Sequence, residues 1–248
     1  MFNRAIEKWE GHFAVPSLFI FMINDGVVNI PAKEEKAINA FIENISNFFN
    51  KNKSAYIDKW DMAICSVIKQ YANEISPKYH LEKIFWRFVY EVENVNKAGY
   101  IPKHNEIFVN LVFCVKKPKE RLGGQAIDFK AVTVYIYHEW VHYKQDILVK
   151  KKHSKGLGGF FDMYNKTAYH DIKWEQMALA RQEIEWIKQR IRKVTPEEVM
   201  KWLREWGLKS DPALIRLKNT NPMAYKRILK YAVMFILKKQ AKAVTKTR

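Results

Sequence analysis

The chain has 248 residues, 48% of them hydrophobic and 14% aromatic, with 43 Lys and Arg against 26 Asp and Glu for a net charge of +17. That apolar content excludes an intrinsically disordered chain and leaves room for one medium domain or two small ones. Apolar runs such as Val15 to Ile23 fall well short of the roughly 18 residues that span a bilayer. Glu7 and Glu10 stand where a secretory leader would be basic, and no small-residue cleavage site follows. Together these features predict a soluble, cytoplasmic protein without a transmembrane segment.

In chain order, Phe13 to Ile30 places an Asn24-Asp25-Gly26 triplet between two β-branched and aromatic runs, the pattern of a β-hairpin. Ala32 to Lys51 carries Ile38, Phe41, Ile42, Ile45 and Phe49 at three- and four-residue spacing and predicts a helix. Tyr56 to Ile75 and Tyr79 to Asn96 show similar stripes and predict two more, separated near Ser76-Pro77. Ile107 to Val115 favours a strand, with a helix as the alternative. Cys65 and Cys114 lie inside apolar runs, where a reduced thiol serves as a small buried hydrophobe.

A loop from Lys116 to Gln125 leads to Asp128, an N-cap for a helix running through His142 toward Lys150. Lys151 to Asp171 reads as a long ordered loop or a pair of short elements near the site, and Trp174 to Ile191 as a helix. Thr195-Pro196-Glu197-Glu198 combines a threonine cap, a proline at the first helical position and a capping box, and Gly207 closes that helix. Asp211-Pro212 and Asn221-Pro222 repeat the cap-then-proline device. The last helix sets Tyr225, Ile228, Leu229, Ala232, Phe235 and Ile236 opposite Lys226, Arg227, Lys230 and Lys238. A boundary near residue 193 divides residues 1–193 from a basic helical module, residues 194–248. The segment from Lys188 onward holds +13 of the net +17, which suggests a nucleic-acid, anionic-surface or acidic-protein partner, or else a solvated lysine-rich face.

The run His138-Glu139-Trp140-Val141-His142 matches H-E-x-x-H. Four residues advance a helix by about 400°, so the two imidazoles project from one face a turn apart, where both can reach one metal. Two neutral nitrogens suit zinc, which needs one more protein ligand and a water. Glu139 lies about 100° round the helix, placed to take a proton from that water as general base. Glu175 is the best third ligand, because small Ala178 three residues on lets its helix pack closely. Asp171, His170, Asp162 and Glu183 compete for the role. For the oxyanion-stabilising group Tyr164, Tyr169, His170 and His153 are equal candidates, whereas His12, His80 and His104 read as surface or core histidines.

On His138, Glu139, His142, Glu175 and Ala178 the chain resembles a gluzincin-type zinc metallopeptidase, over about residues 100 to 185. The glycine and third histidine of the metzincin extension are missing after His142. The resemblance implies an α+β, mostly helical fold, with a small β-sheet beside a zincin-like active-site helix. It also implies that Asn105 to Val112 is the edge strand aligning a protein or peptide substrate. One Zn2+ per chain, held by His138, His142 and Glu175, would serve peptide-bond hydrolysis with Glu139 as base. The alternative is a basic binding protein with a structural or vestigial zinc site, against which the presence of Glu139 argues. A third expectation is a membrane-surface role for the last amphipathic helix, weighed against core packing. No nucleotide-binding glycine pattern, serine elbow or cysteine cluster offers a rival chemistry.

Overall fold

Ile38, Phe41, Ile42, Ile45 and Phe49 form the buried stripe of the first described helix, α1 (Ala32–Asn52). The computed structural model describes residues 28–152, 173–192, 194–209 and 212–244, so most of the expected hairpin at Phe13 to Ile30 lies outside the described residues. The second helix begins later than its stripe suggests, as α2 (Asp61–Ile75), after a 3-10 turn at Lys53–Tyr56. A long-range contact sets that break: Asp61 accepts from the Leu122 amide at 2.7 Å. Beside it, a Cβ on Gly123 would stand 2.3 Å from the Tyr56 carbonyl oxygen. Since backbone cannot yield as a side chain does, Gly123→Ala is expected to cost about 1–3 kcal/mol. Chemical denaturation would show this as a lowered midpoint, and an unchanged midpoint would refute the close contact.

The helix expected from Tyr79 to Asn96 is not formed. Its centre is strand β1 (Phe85–Val89), with Trp86 and Phe88 buried and Arg87 half-buried. Phe85 to Val89 satisfies a period of two as well as one of 3.6. The pairing partner that decides between them lies about twenty residues downstream, beyond any local pattern. Strands β2 (Ala98–Ile101) and β3 (Glu106–Asn110) complete a three-stranded sheet of order β1-β3-β2, with β1 parallel and β2 antiparallel to β3. The segment expected as an edge strand, Asn105 to Val112, is therefore the centre of the sheet. Its strand stops at Asn110, whose side chain accepts from the Val112 amide and turns Leu111–Cys114 into a 3-10 helix.

The two sheet edges differ. On β1, Asn73 of α2 pairs with both backbone groups of Trp86, donating to its carbonyl at 2.8 Å and accepting from its N–H at 3.0 Å, which caps that edge. On β2, the Asn110 N–H reaches the Lys97 carbonyl at 2.9 Å. Bonded pairs then alternate to Gly99 and Ile101, and the backbone groups of Ala98 and Tyr100 point out of the sheet.

Helix α3 (Phe129–Lys152) begins at Asp128, which accepts from the Lys130 and Ala131 amides as the expected cap. It packs against the sheet, α1 and α4 (Lys173–Arg190). Three helices follow: α5 (Pro196–Trp206), capped by Thr195 and closed by Gly207 at φ 66°, α6 (Pro212–Thr220) and α7 (Pro222–Val244). Asn221 caps α7 by accepting from Ala224 at 3.1 Å. The fold is α+β and mostly helical, and the apolar residues of α4 to α7 belong to the same buried cluster as the sheet and α1 to α3. Of the apolar stripe of α7, Tyr225, Ile228, Ala232, Phe235 and Ile236 are buried and Leu229 is half-buried, so the stripe packs into the core. Among the described residues no helix is long and apolar enough to cross a membrane. Cys65 and Cys114 are both free and buried.

Candidate metal centre

Trp140, Val141, Ile136 and Tyr137 bury α3 on several sides at once, which is why the helix carries both apolar and ligand-type residues deep in the molecule. His138 and His142 stand on the side facing the first turns of α4. There the return of the chain brings Glu175 between them, and Ala178, fully buried, allows the close approach of the two helices. The His138 and His142 Nε2 atoms are 3.2 Å apart, and each lies 3.4 Å from Glu175 Oε2. A tetrahedral zinc with bonds of about 2.0–2.1 Å has ligand-to-ligand edges of about 3.3–3.4 Å, so the three donors have the spacing of one face of such a tetrahedron. Among the described residues, His138, His142 and Glu175 are the one group of three or more potential ligands this close together.

Of the competing third ligands, Glu183 is turned away and accepts from the Lys209 amide at 3.0 Å, tying α4 to the segment after α5. Asp162, His170 and Asp171 lie outside the described residues, as do the candidate oxyanion groups His153, Tyr164 and Tyr169. His80 sits in a left-handed turn after α2 and His104 in the turn between β2 and β3, neither grouped with the donors.

Glu139 is buried beside the donors. Burial pushes its carboxyl up, opposed by the charges of His138 and His142, and it accepts from the Tyr100 backbone N–H. That bond brings the outward edge of β2 to the base. The Tyr100 hydroxyl donates to Asp146 Oδ2 at 2.9 Å, with the Asn105 side-chain amide 3.1 Å away, so Tyr100 ties the strand to α3 through its N–H at Glu139 and its hydroxyl at Asp146. Sequence reasoning missed Tyr100 and Asp146 because their pairing spans 46 residues. It also missed Gln145, whose Oε1 stands 2.9 Å from His142 Nδ1. That residue was legible in principle, being three positions from His142 on the same helix face.

Burial alone would lower the His142 pKa, but the Glu175 carboxylate outweighs it and pushes it up to about 9. Glu175 would likewise be raised by burial, yet the His142 charge and its hydrogen bonds to both histidines hold it well below the usual carboxylate range. A metal ion must displace the proton that this pairing keeps on His142. Metal affinity is therefore expected to rise with pH up to about 9 and then level off. Calorimetry in buffers of different ionisation enthalpy would read the released proton, and an affinity flat over this range would contradict the pairing.

A separate cleft of about 500 Å³ opens on the opposite face of α3, lined by Glu34, Tyr79, His80, Trp140, Tyr143 and Lys144 among others, and includes none of the donors. No protein-family model, curated protein or solved structure matches the chain.

Proposed function

We propose that the chain is a zinc-dependent peptidase that hydrolyses peptide bonds, with one zinc held by His138, His142 and Glu175 and Glu139 as general base. The observation that carries this reading is the donor triangle of 3.2, 3.4 and 3.4 Å with a further buried carboxylate beside it that is not one of the donors. A purely structural zinc site has no use for that extra carboxylate. Bound there, zinc supplies a Lewis acid that activates water and polarises a carbonyl. Glu139 would take the proton of the attacking water and return it to the amine that leaves.

The substrate class follows from the sheet. The outward edge of β2 reaches Glu139 at Tyr100, whose N–H the carboxylate accepts, so an extended main chain laid along that edge at Ala98 would run toward the base. The role expected of Asn105 to Val112 thus passes to β2.

The test is elemental analysis of the purified chain with an assay for chelator-sensitive cleavage of an unfolded protein. One zinc per chain is expected in the wild type, lost in His142→Ala and weakened in Glu175→Ala, with cleavage following the metal. A wild type without zinc, or with zinc equally bound in His142→Ala, would defeat the reading.

A second reading rests on charge. Residues 212–248 carry ten Lys and Arg and no Asp or Glu, and Arg216, Lys218, Lys226 and Arg227 are exposed on α6 and α7. In it these helices bind nucleic acid and the zinc site is structural. Affinity for a mixed-sequence duplex that falls steeply with salt, in a chain without peptidase activity, would favour it.

A further inference from the structure

Gln145 of α3 touches a candidate ligand on its own helix and the backbone of α4 beside Glu175. It is completely buried, sits three residues after His142 on α3, and has its Oε1 2.9 Å from His142 Nδ1. Its Nε2 donates to the backbone carbonyl of Trp174 at 3.1 Å, at the residue that immediately precedes Glu175 on α4. A carbonyl can only accept, so the contact with Trp174 fixes which end of the amide faces α4 and leaves the oxygen facing His142. An oxygen facing Nδ1 requires that nitrogen to carry the hydrogen. Nε2 is then the histidine nitrogen available to a metal, and it is the atom that lies 3.4 Å from Glu175 Oε2.

We propose that Gln145 is a positioning residue that couples the two ligand-bearing helices, setting the His142 tautomer and the depth of Glu175 through one amide. The inference rests on the metal reading above. No near neighbour in chemistry serves both halves: a glutamate keeps an acceptor for His142 but sets a carboxylate against the Trp174 carbonyl, and a methionine of similar length gives neither bond.

The experiment measures zinc affinity by competition with a chelator, and the His142 ring by long-range 1H–15N correlation, on the full-length chain. Wild type, Gln145→Met, Gln145→Glu and each paired with Glu175→Ala are compared, with near-UV circular dichroism to report folding. Loss of a partner that orients a metal ligand costs about 10–100-fold in affinity. That loss is expected in Gln145→Met, together with a mixed His142 tautomer in the metal-free chain once the ring is neutral, above about pH 9. Gln145→Glu should keep the Nδ1-protonated ring yet also bind more weakly, and in its background Glu175→Ala should cost less than it does alone. If Gln145→Met misfolds, Gln145→Glu still decides, since the ring signature and the lost coupling to Glu175 are not moved by packing alone. Wild-type affinity and tautomer in both variants, or full additivity with Glu175→Ala, would overturn the proposal while leaving the metal site intact. Absence of zinc from the wild type would overturn both.

Discussion

Glu139→Gln is expected to keep one zinc per chain and to lower peptide hydrolysis by about 10²–10⁴-fold, the usual contribution of a positioned general base. Glutamine has the shape of glutamate and can still accept from the Tyr100 N–H, so neither the fold nor the docking of β2 should suffer. The variant removes only the capacity to take a proton. It is not one of the three atoms in the donor triangle, so metal content should be unchanged. Elemental analysis and a cleavage assay on the same preparation check both halves. Retained activity with retained zinc would remove Glu139 from the mechanism, whereas loss of zinc would show that the carboxylate belongs to the ligand set.

The largest stability effect is expected at Arg181. Its guanidinium is buried on α4, pairs with Glu35 of α1 at 2.8 Å and with Glu185 one turn along, and lies 4.4 Å from the ring centroid of Tyr137 on α3. Tyr137 in turn donates to the Glu35 carbonyl at 3.1 Å, with the Asn39 side-chain amide 3.2 Å from the same hydroxyl. Three helices thus meet on one buried cation. Arg181→Met leaves Glu35 and Glu185 without that charge, and breaking a buried pair from one side costs about 3–5 kcal/mol. Chemical denaturation in chelator measures the loss, and saturating zinc should return part of it because the metal binds only the folded chain. Adding Glu35→Leu and Glu185→Leu should recover most of the stability. A loss under about 1 kcal/mol in Arg181→Met would mean that water reaches the cluster and screens it.

The ligand pair on α3 was legible because its reason is local: four residues make one helical turn, so His138 and His142 share a face wherever that helix goes. The caps at Asp128, Thr195 and Asn221 were legible for the same reason, since a side chain two or three residues from an amide needs no distant partner. Glu175 was reachable by a coarser argument, because Ala178 signalled a close helix approach, although the sequence left Asp162, His170, Asp171 and Glu183 in competition.

By itself, then, the sequence determined most of the helices, the caps at Asp128, Thr195 and Asn221, and the one turn that carries His138 and His142, all consequences of interactions within about four residues. Tertiary structure decided the rest. Phe85 to Val89 became a strand because β3 was there to pair with it. Asn105 to Val112 moved from the edge to the centre of the sheet because β1 and β2 flank it on both sides. Glu183 was withdrawn from the site by the Lys209 amide, and Gln145 acquired its place from the Trp174 carbonyl on another helix. These outcomes depend on hydrogen-bonding groups that meet only after the chain has closed loops of tens of residues, and no local periodicity encodes which partner will be waiting.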